Sequence, residues 1–175
     1  MRTIRITGTG SALPGRIVTN KELEQLVETS DEWIRERTGI GERHVSVGET
    51  VVTLASEAAR KALEQAGKRA EEIDLILVAT CSPEQYLPCC ACQVQAAVGA
   101  VNALAFDVNA ACSGFIYAAA AAHGLLNTLG GRYALVIGCE ALSRMVDPTD
   151  RTTCVLFGDG AGAAVFELAE NVPFA

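Results

Sequence analysis

Residues 103–140 read ALAFDVNAACSGFIYAAAAAHGLLNTLGGRYALVIGCE. Two short apolar runs, ALAFDVN and YALVIGCE, have strand length, and the Ala-rich segment between them, SGFIYAAAAAHGLLNTL, has helix length and ends at Gly130. A helix of this composition is expected to be buried, and a strand–helix–strand order pairs its strands in parallel through a right-handed crossover. This one stretch therefore predicts an α/β fold rather than a bundle or a sandwich.

The same alternation runs through the rest of the chain. Upstream, RTIRIT (2–7) reads as a strand ended by Gly8 and Gly10, and Thr19 with Glu22 forms a capping-box pattern opening a helix to about Val27. Ser30 caps a second helix, DEWIRERT, that stops at Gly39. Leu54, Ala55, Ala58, Ala59, Ala62, Leu63 and Ala66 recur at helical spacing, which predicts a helix over 51–66 closed by Gly67. DLILVAT (74–80) is continuously apolar, as a strand covered on both faces should be. CCACQVQAAV (89–98) reads as a helix ended by Gly99. Beyond the loop DPTDRTT (147–153), FGDGAG leads into a last strand, AGAAVFEL (161–168). The expectation is an α/β fold with a mostly parallel, mixed sheet and helices on both faces, formed by residues 1–175 as one unit.

Composition agrees and excludes some functions. The chain has 175 residues, half of them hydrophobic, with 16 glycines and few aromatics, which suits helices packed closely on a buried sheet. A net charge of -7, with no basic run, argues against a nucleic-acid surface. MRTIRITGTG lacks the regions of a signal peptide and no apolar stretch reaches transmembrane length, so no membrane partner and a cytoplasmic location are expected.

Seven cysteines stand at 81, 89, 90, 92, 112, 139 and 154. Most lie in apolar runs and read as small buried hydrophobes of a reducing compartment. PCCACQ could suggest a metal site, but no second pair or nearby histidine completes a tetrahedron. Cys112 differs because it stands where a strand gives way to a helix. There the unpaired N–H groups and the positive dipole end favour a thiolate, and Ala110, Ala111, Ser113 and Gly114 leave room for a substrate carbonyl. The spacing alone leaves Cys112 open between a nucleophile and a buried cysteine at a strand end.

DVNAACSGF (107–115), with TSDEWIRERTGIGERH (29–44), DPTDRTT (147–153) and FGDGAGAAV (157–165), resembles 3-oxoacyl-[acyl-carrier-protein] synthase III, a thiolase-fold family that starts bacterial type II fatty acid synthesis. The resemblance implies a thiolase-like fold, of which this chain matches the N-terminal half, and an acyltransferase. In that family the cysteine matching Cys112 takes a primer from acetyl-CoA or another acyl-CoA, and the thioester is attacked by the carbanion from decarboxylation of malonyl-acyl carrier protein. No separate cofactor is implied, since coenzyme A arrives as part of the substrate.

By the same matching, Thr29, Trp33, Arg37 and Arg151 hold coenzyme A, with Trp33 and Arg151 flanking the adenine. Without the motif, Trp33 would read as a helix-face anchor and the arginines as solvated charge. Leu142 and Phe157 match the acyl pocket. Leu87 matches a residue that crosses a homodimer interface into the partner's pocket, so its size should affect primer length. The family also uses a histidine and an asparagine from its second half, and this sequence ends at PFA before either. Neither histidine here substitutes: His123 is eleven residues beyond Cys112, roughly 16 Å along a helix, and His44 is expected to be structural. A second chain supplying that half, or an incomplete fragment or assembly subunit, is the expectation. A polyketide starter enzyme or a 3-hydroxy-3-methylglutaryl-CoA synthase-like enzyme is the alternative within the class.

Overall fold

The computed structural model describes residues 2–170. Its five-stranded sheet has the order β1-β7-β6-β4-β5, with β1 at Arg2–Ala12, β4 at Leu75–Ala79, β5 at Leu104–Val108, β6 at Tyr133–Ala141 and β7 at Asp159–Glu170. β4 pairs in parallel with both β5 and β6, while β7 is antiparallel to β6 and to β1. Thus β1, β4, β5 and β6 share one direction and β7 alone opposes them, the mostly parallel mixed sheet that the sequence predicts.

Every residue of β4 is buried, and its side chains alternate between two cores. Ile76 and Val78 pack with α3 (Val51–Ala66) and α4 (Cys90–Val98); Leu75 and Leu77 pack with α5 (Gly114–Leu129) on the other face. Each such side chain removed from water contributes about 1.5–3 kcal/mol. Both flanking layers are therefore needed to satisfy one strand.

α3 forms where expected. Thr50 and Thr53 exchange a reciprocal cap, each backbone N–H donating to the other's hydroxyl, and Gly67 ends the helix at φ +62°. Its buried side includes Ala55, Ala58, Ala59 and Ala62, so the helix can approach the sheet closely. That approach corrects the reading of Gly8 and Gly10. β1 does not end there but runs on to Ala12, with a register irregularity between Ile6 and Gly8. A Cβ on Gly8 would lie 2.5 Å from the Ala62 carbonyl oxygen, and one on Gly10 2.2 Å from that of Ala58. The glycines mark contact with α3, not the end of a strand.

A second correction concerns residues 16–45. β2 (Arg16–Thr19) and β3 (Glu42–Val45) form an antiparallel pair that the short polar sequences RIVT and ERHV did not announce. Between them lie α1 (Asn20–Leu23) and α2 (Asp31–Thr38). The Thr19–Glu22 capping box is present, but α1 stops at Leu23 rather than near Val27. The Glu24 side chain accepts the Asp31 N–H at 2.7 Å, and the buried Asn20 amide donates to Asp31 and to the Ile40 carbonyl, each at 2.8 Å. One irregular turn still follows, the Leu26 and Val27 N–H groups both donating to the Leu23 carbonyl at 2.9 Å, before the chain folds back.

α5 also departs from expectation. It buries only the narrow stripe Gly114, Ala118, Ala122 and Leu126, one residue per turn, against the sheet. On its far side Ile116 is 68% and Tyr117 58% exposed. The edge strand β5 likewise turns Leu104 and Phe106 to solvent. A single sheet face can cover only one side of a helix that is apolar nearly all round. Among the described residues no helix is long and apolar enough to cross a membrane.

Candidate active site

Cys112 lies at the carboxyl end of β5, in front of α5. The sequence places it directly at the helix N-terminus, but a 3-10 turn, Ala111–Ser113, comes between. The turn closes by the Ser113 N–H donating to the Ala110 carbonyl at 3.1 Å and that of Gly114 to Ala111. Ala111 has φ +46°, a left-handed conformation costing a residue with a Cβ about 1–3 kcal/mol. Gly114 allows α5 to start against β4, since a Cβ there would come within 3.1 Å of the Ala79 Cβ. The result is an exposed thiol on a strained turn, facing the first turn of a helix. Nothing in the run NAACSG signalled the strain.

The thiol opens on a cavity of about 240 Å³ lined by Ala79, Phe115, Gly138, Glu140, Gly158 and Gly160 among others. Its walls are the carboxyl ends of the parallel strands, where open α/β sheets bind ligands. The FGDGAG segment supplies the two glycines through close packing: a Cβ on Gly158 would meet the His44 carbonyl at 2.9 Å. Asp159 between them is buried and accepts from the Ser46 N–H, the Ser143 N–H and the Ser143 hydroxyl at 2.6–2.8 Å. Burial pushes its carboxyl up, but these hydrogen bonds outweigh it and leave it below the usual range.

Glu140 is the cavity residue that the sequence reading missed. Its carboxylate accepts from the Cys81 N–H at 2.8 Å, from the Thr80 hydroxyl at 3.3 Å and from the Ser82 hydroxyl, which in turn accepts the Ala141 N–H. It ties the ends of β4 and β6 together beside Cys112. Burial and then the Glu140 carboxylate push the Cys81 thiol up, so Cys81 stays protonated. A lone acid closing the run LVIGCE gave no pattern from which to infer this.

Thr29, Trp33 and Arg151 come together around a second cavity of about 250 Å³ that also includes Glu28 and Ser30. Ser30 caps α2 by accepting the Trp33 N–H at 3.1 Å, which fixes the indole at the cavity wall. Arg151 begins the short α6 (Arg151–Cys154), and the DPTDRTT motif folds itself around it. Asp147 accepts from the N–H and hydroxyl of Thr149, and Asp150 accepts from the N–H and hydroxyl of Thr152. Hydroxyl bonds from Thr152 and Thr153 hold the Asp150 carboxyl down and tie the loop where Arg151 leaves it. The guanidinium of Arg151 lies 4.4 Å over the Trp33 ring and that of Arg37 lies 5.2 Å from it. The Thr29 hydroxyl is buried without a hydrogen-bond partner.

The expected acyl-pocket residues are not gathered in this way. Phe157 lines a third, apolar cavity of about 180 Å³ with Leu23, Val45, Val146 and Cys154. Leu142 opens the 3-10 turn after β6, and Leu87 is 85% exposed. Both histidines bond backbone carbonyls: His44 Nδ1 that of Pro14 at 2.6 Å and His123 Nε2 that of Arg2 at 3.1 Å. Among the described residues no three His, Cys, Asp or Glu side chains converge on a metal position.

A strand-end cysteine on such a turn, in a sheet of this order with helices on both faces, defines a thiolase-like α/β unit. A family model described as 3-Oxoacyl-[acyl-carrier-protein (ACP)] synthase III matches residues 106–173. The chain is 54% identical over 172 residues to the beta-ketoacyl-[acyl-carrier-protein] synthase III of Thioalkalivibrio sulfidiphilus, covering 98% of this chain and 53% of that one. The crystal structure of 3-oxoacyl-[acyl-carrier-protein] synthase III from Aquifex aeolicus superposes with a TM-score of 0.93 at 49% identity, over 97% of this chain and 55% of that chain. The priming β-ketosynthase of the R1128 polyketide pathway gives a TM-score of 0.92 at 39% identity, over 96% of this chain and 51% of that one. The chain belongs to the 3-oxoacyl-[acyl-carrier-protein] synthase III family, and it spans about half the length of the curated relatives it matches, the N-terminal half.

Proposed function

We propose that this chain carries the acyl-loading half of a 3-oxoacyl-[acyl-carrier-protein] synthase III reaction. The observation that carries the reading is Cys112 on its strained turn, exposed to a cavity at the carboxyl ends of the parallel strands. The Cys112 thiolate attacks the carbonyl carbon of an acyl-CoA such as acetyl-CoA, the bond to the coenzyme A sulfur breaks, and free coenzyme A leaves with a proton. In the second step malonyl-acyl carrier protein loses carbon dioxide. The carbanion takes the acyl group, and the Cys112 sulfur is released.

Coenzyme A would lie in the cavity of Thr29, Trp33 and Arg151. The unpartnered Thr29 hydroxyl supports a polar ligand there, and the two guanidinium groups suit its phosphates. An adenine stacked between Trp33 and Arg151 needs about 7 Å, two van der Waals spacings. Arg151 at 4.4 Å must therefore swing outward as the base enters.

The histidine and asparagine of the second step belong to the family's other half. The uncovered side of α5, with Ile116 and Tyr117, is where that half would pack, whether continuous with this stretch or supplied by a second polypeptide. Leu87, exposed on its loop, would reach the partner's pocket in a homodimer. The location is cytoplasmic in this reading. A priming ketosynthase of a polyketide pathway is the second reading, favoured by the R1128 likeness, and it uses the same loading step.

The test is the intact mass of the protein under denaturing conditions after incubation with acetyl-CoA. A single acetyl adduct that disappears in Cys112→Ser is the expected result. An adduct that survives the substitution, or no adduct in the presence of the completing half, overturns the assignment.

A further inference from the structure

The segment PCCACQ contains a feature unrelated to acyl transfer. Cys89 caps α4 and Cys92 lies in its first turn, so the three-residue spacing brings both thiols to one side. Their sulfurs are 3.4 Å apart, with the Cys89 thiol donating to Cys92 and the Cys92 thiol donating to the Ala105 carbonyl of β5 at 3.7 Å. Cys90, between them in sequence, points the other way: it is 1% exposed in the core, where burial pushes its thiol up to about 12. Cys89 and Cys92 are only half-buried.

We propose that Cys89 and Cys92 form a reversible dithiol–disulfide couple, a modification site closed by a hydroperoxide and reopened by a dithiol reductant. A disulfide needs a sulfur separation of about 2.05 Å, so closing the gap asks for a shift of roughly 1.4 Å, within reach of a side-chain rotation. The backbone is already held for it. Asp107 on β5 accepts the N–H groups of Cys90 and Ala91 at 2.9 and 2.7 Å, and the Gln93 amide donates to the Pro88 carbonyl at 2.9 Å. The first turn of α4 can stay wound in either state.

The chemistry balances with one peroxide. Both sulfurs are half-buried, and the balance is the same whichever of the two takes the first attack. The Cys89 thiolate takes one peroxide oxygen to give a sulfenic acid, the oxygen–oxygen bond breaks, and the other oxygen leaves as water. Cys92 then attacks the sulfenic sulfur, its proton and the displaced hydroxide forming a second water. Two thiols lose two electrons and two protons, and the peroxide is reduced.

The experiment treats the protein and Cys112→Ser with hydrogen peroxide at equal molarity, alkylates with iodoacetamide and maps the peptides by mass. The expected result in both proteins is a linked 89–92 peptide two hydrogens lighter, with alkylation lost at both positions and restored by dithiothreitol. Cys92→Ser, checked for native circular dichroism, should lose the link and leave Cys89 open to alkylation or further oxidation. Full alkylation of Cys89 and Cys92 after peroxide, or a bridge from either to another cysteine, overturns the proposal.

Discussion

Gly10→Ala should be among the most damaging single-methyl additions in this chain. A Cβ at position 10 would stand 2.2 Å from the Ala58 carbonyl oxygen and 2.6 Å from the Ala62 nitrogen, both backbone atoms of α3. Ordinary contact with carbon begins near 3.5 Å, so α3 must retreat by about 1 Å from β1. A gap of that size forfeits a quarter to a half of the dispersion attraction across the contact, and α3 buries Val51, Leu54, Ala55, Ala58, Ala59, Ala62 and Leu63. No flexible side chain can absorb the clash, which places the loss near the upper end for overpacking, about 3 kcal/mol. At roughly 2–4 °C per kcal/mol for a chain of this size, the midpoint should fall by about 6–12 °C. Gly15→Ala is the control, since a Cβ there meets nothing within 4 Å. Differential scanning calorimetry of both variants decides: equal midpoints would refute the argument that Gly10 is held by helix contact.

Two further tests address an ion pair and a pocket. Glu167 is buried, its Oε2 accepting two N–H groups of Arg5 and its Oε1 two of Arg132. Burial pushes the carboxyl up, but Arg5 and Arg132 outweigh it and hold it below its ordinary value. Its contribution is therefore present above the unfolded value near pH 4.3 and is lost as the pH falls through the folded one. Glu167→Gln should cost about 1–2 kcal/mol at pH 7, because both arginines are half-exposed. Denaturant titrations from pH 7 to 3 should show the gap narrowing in acid, and a constant gap would remove the carboxylate from the explanation. Leu87→Ala should change the relative rates of acyl-CoA primers of different length by roughly tenfold, the worth of a small change in pocket volume. Unchanged primer preference in an assay with the completing half would show that Leu87 lines no acyl pocket.

The parts of the fold legible in the sequence are those with a local cause. α2 carries its cap and closing glycine in sequence, α3 its helical spacing and closing glycine, and β4 declares its double burial by an unbroken apolar run. What stayed hidden depends on distant neighbours. Gly8 and Gly10 looked like strand ends because the helix that requires them lies some fifty residues on. β2 and β3 are too short and polar to show a period, and exist because they pair with each other. The candidate site divides in the same way. Cys112 and the residues of the Trp33 cavity lie in motifs, whereas Ala111 owes its backbone strain, and Glu140 its position, to how β4, β5, β6 and α5 meet. Leu87, Leu142 and Phe157 are apolar residues whose role depends on surfaces beyond these strands.

The ladder between β1 and β7 joins Arg2 to Glu170 and Ala12 to Ala161. β1 precedes β7 by about 150 residues, so during synthesis it must wait for its partner, while β4, β5 and β6 can already associate. Until then one side of β6 and the glycine-bearing strand that α3 needs are both unpartnered, an opening a chaperone could bind. Loop closure over such a span should make this a slow pairing in the sheet. Among these five strands assembly should thus run from β4, β5 and β6 toward β1, an edge made early and paired late.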